Sequence, residues 1–360
     1  MSNNFILDKE NGTLTIQEGS TKINDCQFRN NLDIKKVFFP MSLKVIGSGA
    51  FCGCKNLRYI INWGGVETIE SYAFYNCESL ELDFFSNSLI TIAESAFQGC
   101  QGITTIYIGS SVEKIGDYAF AFCHNLEELR VGDSVKTLGW SSFYSCESLS
   151  SVELGKSLIE IQGQSFAGCY SLRGIVIPQS VKNIGGSTFE DCWNLKNVIL
   201  PYDIDNIPEG CFRNCERLEH IDIPDLVTYI GTEAFDGCIR LKNILLGTHV
   251  KSIRWSVFQY CKKLADIDLA QVEYIGDRCF RDCFSLLKVV IPDTVKSINS
   301  RTFFNCRNLD TITFMSPSTK IHKKTIIGCR KLKTILVPMR AVNFYKDQLR
   351  KPYKDRVIGY

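Results

Sequence analysis

The sequence lacks a strong net charge of either sign. Its 41 lysine and arginine residues face 39 aspartate and glutamate residues, which leaves a formal charge of +2. A protein that binds nucleic acid usually presents a net basic face, because it must displace counterions from phosphate groups. The charge balance therefore argues against a nucleic-acid partner.

Long apolar runs are also missing. No run approaches the roughly 18 residues that a membrane-spanning helix needs. The first residues, MSNNFILDKENG, lack both the basic region and the long apolar region of a signal peptide. The sequence predicts neither membrane insertion nor conventional secretion.

Histidine is scarce, and the motifs of common enzymes are absent. The four histidines are His124, His220, His249 and His322, and they are far apart in the chain. Nucleophilic catalysis needs a serine or cysteine beside a histidine base, and a glycosidase needs two carboxylates across a cleft. The sequence contains neither a GxxxxGK[ST] loop nor an HExxH motif. We therefore expect no enzymatic activity, no cofactor and no catalytic metal.

What the sequence does have is one apolar pattern that recurs at a fixed interval. A phenylalanine returns every 23 residues, except for one step of 22 where the segment Leu269–Val272 has one residue fewer. Its positions are Phe28, Phe51, Phe74, Phe97, Phe120, Phe143, Phe166, Phe189, Phe212, Phe235, Phe258, Phe280 and Phe303, with Ile326 in the fourteenth unit. Such a period indicates stacked coils, each of which packs only on its neighbours.

Each unit reads L-x-x-I-x-I-P/G-x-x-V-x-x-I-G-x-x-A-F-x-x-C. The first half alternates apolar and polar residues, as in Leu218–Ile223, which is typical of a strand with one buried face. Proline or glycine then ends the strand. We expect a parallel sheet on the concave side and short extended or 3₁₀ segments on the convex side, with a turn whose glycine permits positive φ.

This unit resembles the 23-residue BspA-like (Treponema-type) leucine-rich repeat, and the resemblance runs from about Leu14 to Pro338. It implies a leucine-rich-repeat solenoid of the α/β class, mostly β, with about 14 repeats of 23 residues. The predicted organisation is an N-terminal cap at 1–16, the solenoid at 17–338 and a C-terminal cap at 339–360. Proteins of this family occur in anaerobic bacteria and parasitic protists, often at the cell surface, and are associated with adhesion and protein binding.

Most of the seventeen cysteines follow the repeat, three residues after the aromatic position. These ladder cysteines are Cys54, Cys77, Cys100, Cys123, Cys146, Cys169, Cys192, Cys215, Cys238, Cys261, Cys283, Cys306 and Cys329. Their side chains should point in parallel from one coil to the next, which disfavours disulfides. We interpret them as small buried hydrophobic residues with a weak S–H donor, and expect a reducing or anaerobic setting.

Four cysteines lie off this ladder, namely Cys26, Cys52, Cys211 and Cys279. The pairs that they form with nearby ladder cysteines resemble zinc half-sites, but zinc needs four converging ligands. Cys211 and Cys279 occupy the small-residue position that Ala50 fills elsewhere. We therefore interpret these two as core residues and predict no metal site.

The residues that flank the central isoleucine of each strand should point outward. In the first four coils these residues are strongly apolar, and Phe38, Tyr59, Ile61, Phe84 and Tyr107 are the predicted partner-binding residues. Two alternatives stay open. One is that such residues are simply good strand formers, and the other is that the N-terminal segment 1–16 folds over this end of the solenoid.

Two further features of the outward positions stand out. Asp83 takes a nominally buried position between Leu82 and Phe84, which are both predicted to point outward, so we expect a distorted third coil. Asp222, Asp266 and Asp268 form an acidic stretch that could attract a basic segment or a cation, although an ordinary solvated face explains it as well.

These observations predict a non-enzymatic, adhesin-like protein that binds a macromolecular partner on its concave face. The predicted partner is a protein, such as a host or cell-surface protein. An intracellular scaffold or a self-assembling repeat protein is the alternative, with self-association through the same residues. Localisation stays open, because the many thiols and the missing signal peptide favour the cytoplasm or unconventional export while the family precedent favours the cell surface.

Overall fold

The computed structural model describes residues 4–360 of the chain. They form two compact units, the first ending at Ile184 and the second covering Gly185–Tyr360. Each unit is a parallel-strand solenoid of 23-residue coils, which confirms the predicted fold. Every regular coil has an outward strand, a turn, a two-residue strand and an arc that surrounds the repeated phenylalanine.

The longer strands of the first unit form its strand face, the name used here for the outward surface of these strands. They are β1 (Phe5–Asp8), β2 (Thr13–Ile16), β4 (Lys36–Phe38), β6 (Tyr59–Ile61), β9 (Thr105–Ile108), β11 (Glu128–Val131), β13 (Ser151–Glu153) and β15 (Gly174–Val176). The two-residue strands make a second, continuous parallel sheet. They are β3 (Lys22–Ile23), β5 (Val45–Ile46), β7 (Thr68–Ile69), β8 (Thr91–Ile92), β10 (Lys114–Ile115), β12 (Thr137–Leu138), β14 (Glu160–Ile161) and β16 (Asn183–Ile184).

The second unit repeats this plan. Its strand face consists of β17 (Asn197–Ile199), β19 (His220–Asp222), β21 (Asn243–Leu245), β24 (Lys288–Ile291), β26 (Thr311–Phe314), β28 (Thr334–Val337) and β29 (Val357–Gly359). Its short strands are β18 (Asn206–Ile207), β20 (Tyr229–Ile230), β22 (Ser252–Ile253), β23 (Tyr274–Ile275), β25 (Ser297–Ile298) and β27 (Lys320–Ile321). Helix α1 (Val342–Gln348) lies between two 3₁₀ turns, Met339–Ala341 and Tyr353–Arg356.

The terminal segments join the sheets. β2 pairs in parallel with β4, and β1 folds back on β2 as the antiparallel strand of a hairpin. At the other end β29 pairs in parallel with β28. Tyr345 is fully buried there, and its hydroxyl donates to the Ser316 carbonyl at 2.7 Å. Strand pairing thus extends beyond residues 17–338, and the proposed cap boundaries remain a prediction.

The repeated phenylalanines form the core of both units. Phe97, Phe120 and Phe143 are fully buried, and their stacked rings have centroids 5.2 and 5.4 Å apart. Phe212 and Phe235 stack in the same way at 5.4 Å in the second unit. A 23-residue period places each ring directly on the ring of the previous coil, so the core continues from coil to coil within a unit.

The arc around each phenylalanine uses left-handed residues where we expected glycine alone. Residues two before and two after the phenylalanine have positive φ, as at Tyr118 (φ 55°) and Phe122 (φ 60°). This conformation lets alternate N–H groups donate to the next coil, as Phe120 does to Ser142 at 2.8 Å. The backbone hydrogen-bonding groups of the arc are thereby paired without a helix.

The glycine after the buried isoleucine has a different role from the one predicted. Gly116 and Gly231 are not among the residues with positive φ. A Cβ on Gly116 would lie 2.6 Å from the backbone carbon of Ala93, and one on Gly231 would lie 2.6 Å from the Glu209 nitrogen. Close approach of neighbouring coils, not backbone conformation, therefore requires glycine here.

The ladder cysteines are fully buried free thiols, as predicted. Their thiols donate to the phenylalanine carbonyl of the preceding coil, for example from Cys54 to Phe28 and from Cys306 to Phe280, both at 3.0 Å. Burial raises the pKa of the Cys123 thiol to about 12. Such thiols stay protonated and unreactive near neutral pH.

Two coils lack a regular outward strand. In the third coil the predicted distortion at Asp83 is confirmed, since Asp83 is exposed while Leu82 and Phe85 are buried. The outward orientation predicted for Leu82 is therefore wrong, because Leu82 and Phe85 take the core positions while Asp83 and Phe84 stay exposed between them. The second irregular coil is residues 265–269, next to the 22-residue step.

Candidate functional site

All five predicted partner-binding residues are exposed on the strand face of the first unit. Four of them fall in register along a single line. Phe38 on β4 pairs with Ile61 on β6, and Phe84 makes an isolated parallel bridge with Tyr107 on β9. Phe84 follows Ile61 by one 23-residue step.

A residue that the sequence did not suggest extends this line. Ile6 on β1 pairs with Thr15 on β2, which in turn pairs with Phe38. Directly opposed residues in an antiparallel pair point to the same face of a sheet. We call Ile6, Phe38, Ile61, Phe84 and Tyr107 the apolar column. Their exposed fractions are 60%, 38%, 40%, 62% and 48%.

The size of the apolar column follows from strand spacing. Neighbouring strands lie about 4.8 Å apart, so the five steps from Ile6 to Tyr107 extend over roughly 24 Å. The next residue in register after Tyr107 is Arg130. Its guanidinium lies 2.8 Å from Glu128 and 3.9 Å from Glu153. A charged network therefore ends the column on this side.

Tyr59 lies outside the apolar column, in the neighbouring line of outward residues. It pairs with Lys36 across β4 and β6. The Arg58 guanidinium lies 5.1 Å from the centre of the Tyr59 ring and 2.7 Å from a carboxylate oxygen of Glu81. Tyr59 also lines a small cavity of about 300 Å³ together with Asp83. Its surroundings are polar, in contrast to those of the column.

The N-terminal hairpin extends the strand face at its edge. The order of this sheet is β1-β2-β4-β6, so the hairpin is coplanar with the strands that carry Phe38 and Ile61. Every residue of the apolar column remains more than one-third exposed with the hairpin in place. The hairpin adds Ile6 to this surface.

The acidic stretch of the second unit does not act as one group. Asp222 lies 2.9 Å from the His220 ring nitrogen Nε2. Asp266 and Asp268 lie two coils further on, where each accepts a local backbone N–H. Within residues 4–360, no three His, Cys, Asp or Glu side chains are arranged to hold a metal ion.

Of the three cysteine pairs considered as zinc half-sites, Cys52/Cys54 is only partly buried and the other two are core residues. Cys211, Cys215, Cys279 and Cys283 are all buried, and burial raises the pKa of each thiol. Cys26 is exposed and Cys52 is partly exposed, and both line a surface cavity beside Arg29. In the described part of the chain, no helix combines the length and hydrophobicity needed to cross a bilayer.

Family comparison agrees with the coil geometry. The model of the BspA-type leucine-rich repeat region, in six copies, matches residues 21–149, 136–265 and 234–349. The chain belongs to this family. Leucine-rich repeat proteins are generally non-enzymatic and generally bind protein partners. A search of curated protein sequences gave no match.

Solved structures of bacterial leucine-rich repeat proteins share the fold. A leucine-rich repeat protein from Bacteroides ovatus superposes with a TM-score of 0.72 at 25% identity, covering 99% of this chain and 97% of that one. The pneumococcal vaccine antigen PcpA gives 0.56 at 18% identity, covering 100% and 98%. A leucine-rich repeat protein from Eubacterium ventriosum gives 0.54 at 21% identity, covering 90% and 92%.

Proposed function

We propose that this BspA-type protein is a non-enzymatic, adhesin-like binding protein that holds its partner protein on the apolar column. The observation that carries the proposal is the register of the column. Five large apolar side chains, from Ile6 to Tyr107, follow one line across the strand face and stay exposed, with Thr15 between Ile6 and Phe38. A soluble protein rarely exposes such a contiguous apolar surface without using it.

The composition of the column indicates the kind of partner. Phe38, Phe84 and Tyr107 are aromatic, and aromatic side chains are favoured anchors of protein interfaces. A polar rim flanks them, with Tyr59, Arg58 and Glu81 on one side. An apolar centre with a polar rim is the usual arrangement of a protein-binding surface. The preferred partner is therefore a protein with an apolar ridge.

Affinity purification tests the proposal with a matched control. The test variant carries Phe38→Ser, Ile61→Ser and Tyr107→Ser, and should lose the partner that the unmodified chain recovers. The control carries Val176→Ser, Ile199→Ser and Leu245→Ser, three exposed apolar residues of the strand face outside the column. Equal recovery by both variants would contradict the proposed site.

Light scattering separates a foreign partner from self-association. A monomer at all concentrations favours a foreign protein. A concentration-dependent dimer that the column variant abolishes favours the alternative of a self-assembling scaffold. Adding Tyr59→Ala to the column variant tests whether the neighbouring polar line contributes as well.

A further inference from the structure

The arcs around the repeated phenylalanines carry opposite charge in the two units. In the second unit, the arcs 254–263, 276–285, 299–308 and 322–331 contain eleven lysine and arginine residues and two aspartates, which leaves a formal charge of +9. We call these four arcs the basic arc face. The corresponding arcs 70–79, 93–102, 116–125 and 139–148 of the first unit contain five carboxylates and no lysine or arginine. The near-neutral charge of the whole chain therefore conceals two arc surfaces of opposite sign.

The four arcs of the basic arc face adjoin one another. The backbone N–H groups of Phe258, Phe280 and Phe303 each donate to a carbonyl of the next arc, at 2.9, 2.8 and 3.0 Å. Neighbouring coils lie about 4.8 Å apart, so the four arcs extend over roughly 14 Å along the solenoid. Arg278, Arg301 and Lys324 take the same repeat position in three consecutive coils. They form the central row of the face.

Most of these charges lack a counterion. Eight of the eleven basic side chains are exposed, and the other three, Arg278, Arg281 and Arg301, are partly exposed. Within residues 4–360, only Arg281 of the eleven forms an ion pair, with the buried Asp282 at 3.1 Å. Like charges in neighbouring coils repel each other, and an anion bound along the row relieves this repulsion. The surface is therefore suited to a ligand with many negative charges.

Aromatic rings hold several of the arginines in place. The Arg278 guanidinium lies 5.6 Å from the centre of the Trp255 ring, and that of Arg307 lies 4.5 Å from the centre of the Phe284 ring. Arg281 lies 5.4 and 5.9 Å from two further rings. A guanidinium whose face rests on a ring still offers the N–H groups of its edge, which bind an oxyanion in a bidentate manner.

We propose that the basic arc face binds a linear sulfated polysaccharide. Sulfate esters are strong acids that stay ionised at physiological pH, and they repeat along a flexible chain as the basic residues repeat along the row. A single-stranded nucleic acid would stack its bases on aromatic rings, but arginine lies over the rings of Trp255 and Phe284. Reading of a duplex uses an inserted helix or strand ribbon, and the four arcs contain neither.

A sulfated oligosaccharide probes this face in the full chain. The probe is a heparin-derived hexasaccharide, measured by isothermal titration calorimetry at 0.15 M ionic strength, where screening leaves only charges within about 8 Å of each other effective. We expect saturable one-site binding that weakens as salt is raised. The same hexasaccharide without its sulfate groups keeps its carboxylates and should bind about tenfold more weakly or worse. Single-stranded oligothymidylate of equal charge and phosphatidylserine vesicles should both bind more weakly than the sulfated probe.

Neutralising the central row tests the residues directly. The row variant carries Arg278→Gln, Arg301→Gln and Lys324→Gln. Gln164 takes this repeat position in the first unit with a φ of 58°, the same as that of Arg301, so the fold should tolerate the change. The row variant should bind the hexasaccharide about tenfold more weakly or worse, because three close charge pairs are lost.

Two controls accompany the row variant. Lys288→Gln, Lys296→Gln and Arg340→Gln remove the same charge from exposed positions of the second unit outside the arcs, and should leave the affinity unchanged. The column variant should also keep its affinity for the hexasaccharide, because the apolar column lies in the other unit. The two proposals can therefore fail independently.

Lysine acetylation of the unmodified chain, followed by mass spectrometry, provides a readout that needs no variant. Bound hexasaccharide should protect Lys262, Lys323 and Lys331 and leave Lys288 and Lys296 reactive. The proposal is overturned if binding is not saturable, if the desulfated probe binds equally well, or if oligothymidylate or the vesicles bind more tightly. Equal affinities of the row variant and its charge-matched control, or protection confined to lysines outside the four arcs, would also overturn it.

Discussion

The two irregular coils, Leu82–Phe84 in the first unit and residues 265–269 in the second, lose their regular strand for different reasons. The first keeps the 23-residue step and exchanges its buried and exposed positions, so that Asp83 turns outward. It still forms one bridge, from Phe84 to Tyr107. The second is one residue short and forms no bridge at all.

This difference shows how one repeat produces two kinds of surface. An exchange of buried and exposed positions at Leu82 and Asp83, within an unchanged repeat length, keeps one bridge to the next coil and leaves Phe84 at its ordinary outward position. A change of length removes the strand at residues 265–269, so that no strand is assigned between β21 and β24 on this face. The core remains packed in both irregular coils, because Leu82 and Ile267 are each buried. Departures from the repeat thus change the strand face locally, while the buried positions of the repeat remain filled.

The largest expected effect concerns the ladder cysteines, which are buried in each of the two units. Burial raises the pKa of the Cys123 thiol from its ordinary value of 9.0 to about 12. Because the folded-state pKa is the higher one, the contribution of the protonated thiol to the stability of the fold is complete below pH 9. This contribution is lost as pH rises from 9 toward 12. Each such thiol lowers the free energy of unfolding by about 1.4 kcal/mol per pH unit in that range.

Thermal unfolding between pH 8 and pH 10.5 checks this prediction. The midpoint should fall steeply above pH 9, in both units alike. Cysteine labelling at pH 8 provides the control, because only Cys26 and Cys52 are accessible enough to react while the chain is folded. An unfolding temperature that stays constant up to pH 10.5 would be incompatible with buried thiols that stay protonated in the folded chain.

The next largest effect tests whether the two units have equivalent cores. Phe120→Ala and Phe235→Ala each remove one ring from a continuous stack. Each should lower the free energy of unfolding by about 3–5 kcal/mol, since the neighbouring coils cannot collapse into the space. Urea unfolding followed by circular dichroism measures both. A cost below about 1 kcal/mol in either unit would break the equivalence.

The phase change in the third coil predicts unequal effects at nearby positions. Leu82→Ala should cost about 2–4 kcal/mol because the side chain is buried. Phe84→Ala should change stability by less than about 0.5 kcal/mol, because its ring is exposed. The same urea titration compares them. If both costs were small, the third coil would follow the ordinary phase of the repeat, in which Leu82 and Phe84 both point outward.

The smallest expected effect comes from repairing the second irregular coil. Asp266→Thr with Asp268→Val gives this coil outward residues that suit a strand, as in Thr311–Phe314. The double substitution should raise the free energy of unfolding by about 1 kcal/mol. Amide exchange should slow at residues 265–269, which we expect to exchange faster than β26 in the unmodified chain because they are not in a strand. Unchanged exchange would mean that the missing residue alone maintains the interruption.

The repeat, the core phenylalanines and the buried cysteines could all be predicted, because each repeats at a fixed interval. The left-handed residues could not, because side chains as different as Tyr118, Phe122 and Gly53 fill the same two positions. The role predicted for the glycine after isoleucine was also wrong. A glycine that close backbone approach requires looks the same in a sequence as one that positive φ requires. The distortion at Asp83 was visible in the sequence as a broken alternation.

The candidate site was only partly accessible to sequence. Strand alternation indicates which side chains point outward, and the five predicted residues are exposed. Their division into a column and a neighbouring polar line depends on what surrounds each side chain, as Arg58 and Glu81 surround Tyr59. Ile6 was missed because the antiparallel hairpin lies outside the repeat pattern. The missing strand at residues 265–269 was not predicted either, because it involves local hydrogen bonds from Asp266 and Asp268 that periodicity does not reveal.

Oxidative footprinting of the chain with its captured partner tests the central claim most directly. Hydroxyl radicals label exposed aromatic side chains, so Phe38, Phe84 and Tyr107 should all lose labelling when the partner is bound. Tyr118 and Trp140, exposed aromatic residues outside the strand face, provide the internal control and should stay labelled. Protection of Tyr118 and Trp140 with full labelling of Phe38, Phe84 and Tyr107 would contradict the account.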